Sequence, residues 1–224
     1  MKHIAIAIDG PAAAGKSTVA KLVAKKLGFT YIDTGAMYRA FTWAVMERGI
    51  DPENEEASCA IIPEVSISLL EDGRVICNDI DVTKEIREPR VSGNVSYIAS
   101  YPKIRLALVD MQRAMADSKS VVMDGRDIGT YVLPKAEVKI FQIASVECRA
   151  KRRYDENVSK GIPTSYEDVV ADVKKRDYID SHRAFAPLTP AEDSVQLDTS
   201  PLSIQEVVDA ILAIVKEKTG LEAK

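Results

Sequence analysis

Gly10-Pro11-Ala12-Ala13-Ala14-Gly15-Lys16-Ser17 fits G-x-x-x-x-G-K-[S/T], the spacing of a phosphate-binding P-loop, and its flanks make the fit persuasive. The apolar run Ile4-Ala5-Ile6-Ala7-Ile8 comes directly before it. Val19, Leu22, Val23 and Leu27 come after it at helical spacing. Strand, glycine loop and helix is the setting in which such a loop works. Gly10 and Gly15 permit backbone angles that side chains forbid. Successive N–H groups then turn inward as an anion nest, and the positive end of the helix dipole faces the same point. Lys16 adds a mobile charge for terminal phosphates, and the Ser17 hydroxyl is a natural Mg²⁺ ligand.

Bulk properties narrow the class. A chain of 224 residues suits one domain of ordinary core size with insertions. With 46% hydrophobic and 29% charged residues it reads as a soluble globular protein. A net charge of −4 argues against a nucleic-acid partner, leaving room only for local basic clusters. The early apolar run stops at Asp9, too short for a signal segment or membrane span, so a cytoplasmic protein with no membrane partner is expected. Cys59, Cys77 and Cys148 show no paired spacing, which argues against disulfides or a zinc site and fits a reducing compartment. Cys148 lies beside basic residues but reads as a bystander thiol, and His3 reads as part of the first strand. No long unexplained apolar surface is evident, so a monomer is expected.

Residues 4–8, 30–32, 120–124, 138–143 and 194–198 read as strands of a buried parallel sheet, apolar on both faces because helices cover both sides. Gly28 marks the end of the first helix, and Ser203-Ile204-Gln205-Glu206 opens the last with a capping box. From Asp33 to Lys119 the chain is far longer than a crossover needs, so a segment is inserted. Within it, 65–70, 74–77 and 79–82 read as short strands and 91–99 as a helix. A further helix turns Ile104, Leu108, Met111 and Met115 toward the core. A second, basic insertion spans 147–190, with Arg149, Lys151, Arg152 and Arg153, a break at Gly161-Ile162-Pro163 and a helix near 166–183. Phosphoryl transfer needs positioning, charge stabilisation and the exclusion of water. One insertion is therefore expected to hold an acceptor and the other to close as a lid.

Three further motifs make the pattern specific: Asp33-Thr34-Gly35-Ala36-Met37-Tyr38-Arg39, Gly125-Arg126-Asp127-Ile128-Gly129, and Arg176-Asp177-Tyr178-Ile179-Asp180-Ser181-His182-Arg183 followed by Ala186-Pro187-Leu188. With Asp81-Val82-Thr83 and Ile86-Arg87, they resemble the bacterial cytidylate kinase family over nearly the whole chain. The resemblance implies an α/β, three-layer α/β/α P-loop NTPase fold. Its five-stranded parallel sheet would have the order 2-3-1-4-5, with a β-rich acceptor-binding insertion and a short helical lid. The core would lie near 1–37, 117–146 and 184–224, the CMP-binding insertion near 38–116 and the lid near 147–183. The implied activity is transfer of the γ-phosphoryl group of ATP, with Mg²⁺, to CMP or dCMP, giving ADP and CDP or dCDP in pyrimidine nucleotide metabolism.

The family's contact positions carry over one at a time. Gly10, Pro11, Ala12, Ala13, Ala14, Gly15, Lys16, Ser17 and Thr18 would bind the donor, with Arg153 from the lid and Ser17 as metal ligand. Thr34 stands where many relatives have Ser, and Arg39 matches the arginine that binds the acceptor phosphate, to which its fork is suited. Tyr38 reads as packing. Ser96 and Arg105 match the positions facing cytosine, although on residue pattern alone Arg105 would be a solvated helix-end arginine. Arg126 would reach the acceptor phosphate and Asp127 the base, and both emerge at the carboxyl end of a strand, where open α/β sheets bind ligands. A carboxylate accepts from the cytosine amine and repels the uracil carbonyl, a mismatch costing about 1–3 kcal/mol. Asp124 could hold Mg²⁺ through water or serve as a loop acceptor. Arg176 would touch both nucleotides' phosphates, Asp180 the acceptor ribose, and Arg183 the developing charge or the donor. Spaced four and three apart, these could equally form a surface ladder worth little. The mutual repulsion of Arg149, Arg152 and Arg153 would be offset by a triphosphate. Lys16, Arg126 and Arg176 are the residues assigned to catalysis, and no protein base is needed because the acceptor is already an anionic phosphate.

The departures from the family pattern, Ser181, His182 and the turn Asn78-Asp79, fall at variable or peripheral positions. Another small P-loop kinase, acting on UMP, AMP or shikimate, is the alternative, and Ser96, Arg105 and Asp127 speak against it. A nucleotide switch would need an Asn-Lys-x-Asp segment, which none of Asn54, Asn78, Asn94 or Asn157 begins.

Overall fold

The apolar run ahead of the glycine loop forms β1 (Ala5–Asp9), the middle strand of a five-stranded sheet in a computed structural model that describes residues 3–223. Its neighbours are β6 (Val121–Gly125), in parallel register from Ala5 opposite Val121 to Asp9 opposite Gly125, and β7 (Val138–Ile143). β2 (Thr30–Asp33) lies outside β6, and β8 (Val195–Asp198) runs parallel to β7 at the other edge. Counted along the chain, this is the expected order 2-3-1-4-5. β8 departs from the two-sided apolar expectation: its residues alternate between half-buried and exposed, as an edge position allows.

By contact the chain divides into two units, Met1–Tyr31 with Ser118–Lys224, and Ile32–Asp117. In the first, Ile6 and Ile8 share one sheet face with Val122, Val138 and Ile140 and pack against α1 (Lys16–Leu27) and α8 (Ile204–Thr219). Each fully buried aliphatic side chain stabilises by about 1.5–3 kcal/mol. α1 starts from Gly15 and ends at Gly28, both left-handed, with the Gly28 N–H donating to the carbonyls of Ala24 and Lys25. Its first turn holds no acidic residue, whereas α6 (Val146–Ser159), α7 (Tyr166–His182) and α8 each carry one or two. The positive end of α1 is thus left unneutralised by its own side chains. α6 and α7 close on each other through Ala150, Val169 and Val173. The capping box at Ser203 and Glu206 forms as read.

The second unit is built on α2 (Thr34–Glu47), whose N-terminus is capped by Asp33 accepting from the Ala36 N–H at 2.8 Å. α2 buries Met37, Phe41, Ala44 and Val45 at helical spacing, yet neither it nor α3 (Glu55–Ala60) was expected as a helix. β3 (Ile67–Leu69), β4 (Val75–Cys77) and β5 (Ile80–Asp81) form the expected small sheet, antiparallel and shorter than read. Asn78 and Asp79 both take positive φ, the conformation a two-residue hairpin turn needs. Asn78 also accepts the Ser66 N–H at 2.8 Å, which secures the turn without a glycine. α4 (Pro89–Ile98) and α5 (Pro102–Ala116) follow, with Ile104 and Leu108 buried and Met111 and Met115 packed against the same core.

Candidate active site

The glycine loop needs its glycine at position 10: φ there is +149°, and a Cβ would collide with the backbone carbonyl of Gln142. Ala13 at φ 59° and Gly15 at φ 86° continue the left-handed turns. Gln142 donates from Nε2 to the Ala14 carbonyl, holding the loop from β7. Lys16 is only 5% exposed and donates to the Pro11 carbonyl at 2.8 Å. Burial, then the nearby Arg126, pushes its amine down to about 7, against the pull of Asp124, Asp9 and Asp180.

Ser17 donates to Asp124 Oδ2 and Tyr31 to Asp124 Oδ1, both at 2.8 Å. A hydroxyl against a buried carboxylate is an all-oxygen donor pair suited to a hard cation. Among the described residues no group of three or more His, Cys, Asp or Glu is placed to hold a metal.

Where β6 ends, Arg126 donates from Nε to Asp180 at 2.8 Å, and Arg183 donates to Asp127 at 3.3 Å. Asp180 and Arg183 therefore pair from the α7 end to the loop after β6, and do not form the surface ladder that their spacing alone allows. Burial would raise the Asp180 carboxyl, but Arg126, Arg183 and Arg176 together hold it below its ordinary value. Arg176 has a buried Nε with no hydrogen-bond partner, and burial, then Arg126, pulls its guanidinium down to about 10. Arg153 adds to that repulsion. In the first unit, Arg126 thus lies within electrostatic reach of both Lys16 and Arg176, and Arg153 within reach of Arg176.

Thr34, Arg39, Ser96 and Arg105 belong to the second unit. Thr34 and Ser96 are buried. Arg105 is 1% exposed, donates to the Ala99 carbonyl at 2.9 Å and sits with its guanidinium 5.2 Å from the Tyr38 ring centre. The solvated helix-end reading of Arg105 is thereby overturned, and Tyr38 packs as expected. Arg39 lies 3.3 Å from Asp33, and its buried Nε has no hydrogen-bond partner.

The basic helix needs a correction. Arg149 is buried, grips Asp177 of α7 through both terminal nitrogens, and also donates to the carbonyls of Ala12 and Ala144. Its charge is met inside the protein, without a triphosphate. Arg152 donates to the Thr199 carbonyl at 2.7 Å and to Ala14 at 3.3 Å. Arg153 pairs with Glu156 on the surface at 3.5 Å. Sequence reasoning also passed over Asp9, a buried carboxylate that burial pushes up to about 6. Its one visible signal was an acid closing an apolar run directly before the glycine loop.

Comparison with known proteins agrees with this geometry. The family model described as cytidylate kinase matches residues 6–217. The cytidylate kinase of Oceanobacillus iheyensis is 55% identical over 214 residues, covering 94% of this chain and 93% of that protein. That of Bacillus subtilis is 51% identical over 221 residues, covering 97% and 99%. Among solved structures, an uncharacterized protein from Eubacterium ventriosum has a TM-score of 0.56 at 14% identity, covering 96% of this chain and 99% of that one. A gluconokinase from Sinorhizobium meliloti has a TM-score of 0.51 at 14% identity, covering 97% and 94%. These two structural likenesses speak to the fold alone.

Proposed function

The chain belongs to the cytidylate kinase family, and from that premise we propose that it moves the γ-phosphoryl group of ATP to CMP or dCMP, giving ADP and CDP or dCDP. The observation that carries the reading is the set of cations, Lys16, Arg126 and Arg176, in which Lys16 and Arg176 are each held below their ordinary proton affinity by burial and then by the charge of Arg126. Such crowding is unfavourable in the free protein and favourable around polyphosphate, where charge develops between donor and acceptor.

An oxygen of the acceptor's phosphate attacks the γ-phosphorus, the bond from the γ-phosphorus to its bridging oxygen breaks, and ADP leaves with that electron pair. No protein base takes part. Gly10 to Thr18 cradle the donor phosphates with backbone N–H groups, and Lys16 and Arg153 meet their charge. Arg39 and Arg126 orient the acceptor phosphate through N–H forks, Arg176 touches the phosphates of both nucleotides, the Thr34 hydroxyl bonds the acceptor, Asp180 accepts from the acceptor ribose, and Arg183 faces the developing charge or the donor. Ser96, Arg105 and Asp127 read the base. Ser17 and Asp124 would hold the Mg²⁺ that accompanies ATP, and that ion supplies charge neutralisation at the phosphate oxygens. Residues 38–116 serve as the acceptor-binding insertion and 147–183 as the lid.

The same reading carries a cytoplasmic monomer acting on small nucleotides alone, without nucleic-acid or membrane partners. Its support is the free thiols of Cys59, Cys77 and Cys148 and the chain's net charge of −4. The test offers ATP and Mg²⁺ with CMP, dCMP, UMP, AMP and shikimate in turn and measures ADP. CMP and dCMP should be consumed well ahead of the others; preferred turnover of any of the other acceptors would overturn the proposal.

A further inference from the structure

Asp9 closes β1 and stands immediately before Gly10, yet none of the chemistry above uses it. It is 5% exposed and lies in register opposite Gly125 of β6 and Phe141 of β7, at the carboxyl edge of the sheet. Its carboxylate reaches the loop that leaves β6. Oδ1 accepts the Ile128 N–H at 2.8 Å, and Oδ2 accepts the Gly129 N–H at 2.7 Å. Those two amides follow directly on Arg126 and Asp127. Asp127 caps the short helical turn Ile128–Val132, its carbonyl accepting the Tyr131 N–H at 2.8 Å and the Val132 N–H at 3.1 Å, so the two amides that Asp9 holds are the ones that open that turn. Only a carboxylate can satisfy both amides: an asparagine keeps one acceptor and turns an N–H group toward the second donor. The contact is also close. A Cβ at Gly129 would lie 3.4 Å from Asp9 Oδ2 and 3.2 Å from the Lys139 side chain.

We propose that Asp9 is a positioning residue for acceptor recognition: by holding the Ile128 and Gly129 amides it fixes Arg126 and Asp127 relative to the first residue of the donor cradle. One short carboxylate joins the loop assigned to the acceptor to the loop assigned to the donor, across neighbouring strands of a rigid sheet. The inference rests on the acceptor roles assigned to Arg126 and Asp127. A merely structural Asp9 would lower stability and turnover without preferring one nucleotide. A positioning Asp9 directs its loss at the acceptor, because the donor loop has holds of its own: the Lys16 bond to Pro11 and the Gln142 bond to Ala14.

The test is steady-state kinetics of full-length Asp9→Asn, each enzyme assayed below its own melting temperature. The KM for CMP should rise about tenfold or more, with the CMP/UMP ratio of kcat/KM falling several-fold, since misplacements near 1 Å are costly. The KM for ATP should stay within about twofold. Asp9→Glu keeps both acceptor oxygens on a longer arm, so it should move the same two quantities in the same direction, more weakly, and it decides the matter if Asp9→Asn does not fold. Wild-type values for both, or equal rises in KM for ATP and CMP, would overturn the proposal. Asp127→Asn serves as the reference. If it too leaves the CMP/UMP ratio unchanged, the acceptor reading itself fails; if only the Asp9 variants are silent, the positioning role alone falls.

Discussion

At the residue scale, base selection rests in our proposal on one buried, paired carboxylate. Asp127 is 4% exposed and accepts from Arg183 at 3.3 Å, so its charge is compensated and its remaining acceptor capacity can be directed at an amine. Replacing it by asparagine keeps the shape and replaces one acceptor with a donor. Asp127→Asn should therefore cut the preference for CMP over UMP by about tenfold or more, since a buried polar mismatch is worth about 1–3 kcal/mol. Competition kinetics with both acceptors check it, and an unchanged ratio removes Asp127 from base reading. Arg105 teaches a different point at this scale. Its position near the start of α5 suggests solvent, yet its head is buried against Tyr38 and Ala99. Exposure is set by what packs around a helix start, and periodicity does not encode that.

Among elements, the joint between α6, α7 and the glycine loop invites direct test. Arg149 ties Ala12, Ala144 and Asp177 together, and Asp177 sits on α7 beside Arg176 and one turn before Asp180. Truncating one partner of a buried ion pair costs about 3–5 kcal/mol, with the upper end reduced here because Asp177 is a quarter exposed. Arg149→Ala should lower the melting temperature by several degrees and raise the KM for ATP, because the Ala12 carbonyl loses its anchor. Unaltered ATP affinity would limit Arg149 to a stabilising role. The parallel strands were legible because two-sided burial writes itself as apolar runs, and Gly28 and the Ser203 capping box were legible because helix ends have local chemistry. α2 also carries its period, at Met37, Phe41, Ala44 and Val45, whereas α3 has too few turns for a period to show. The Arg149–Asp177 grip and the Asp9 contacts join residues 28 and about 120 positions apart, so only tertiary register creates them.

At the scale of the whole molecule, the site works against stability near neutral pH. The Asp9 carboxyl is raised from 3.8 to about 6, so its contribution falls as pH rises through that window. The Lys16 amine is lowered from 10.5 to about 7. Above pH 7 the unfolded chain keeps a proton there that the native chain has released, so stability rises with pH from about 7 toward 10.5. Urea unfolding without nucleotide should show a gain of about 1–2 kcal/mol between pH 7 and pH 8.5, and Lys16→Met should abolish it. No rise in the parent chain would contradict the buried charge. The most direct test of the central claim, that these cations are crowded together for phosphate, measures turnover and melting temperature of Lys16→Met side by side at pH 7. Turnover should fall by about a thousandfold or more, with a melting temperature equal to or above that of the parent chain. Turnover that survives, or a melting temperature that falls along with it, would contradict the claim.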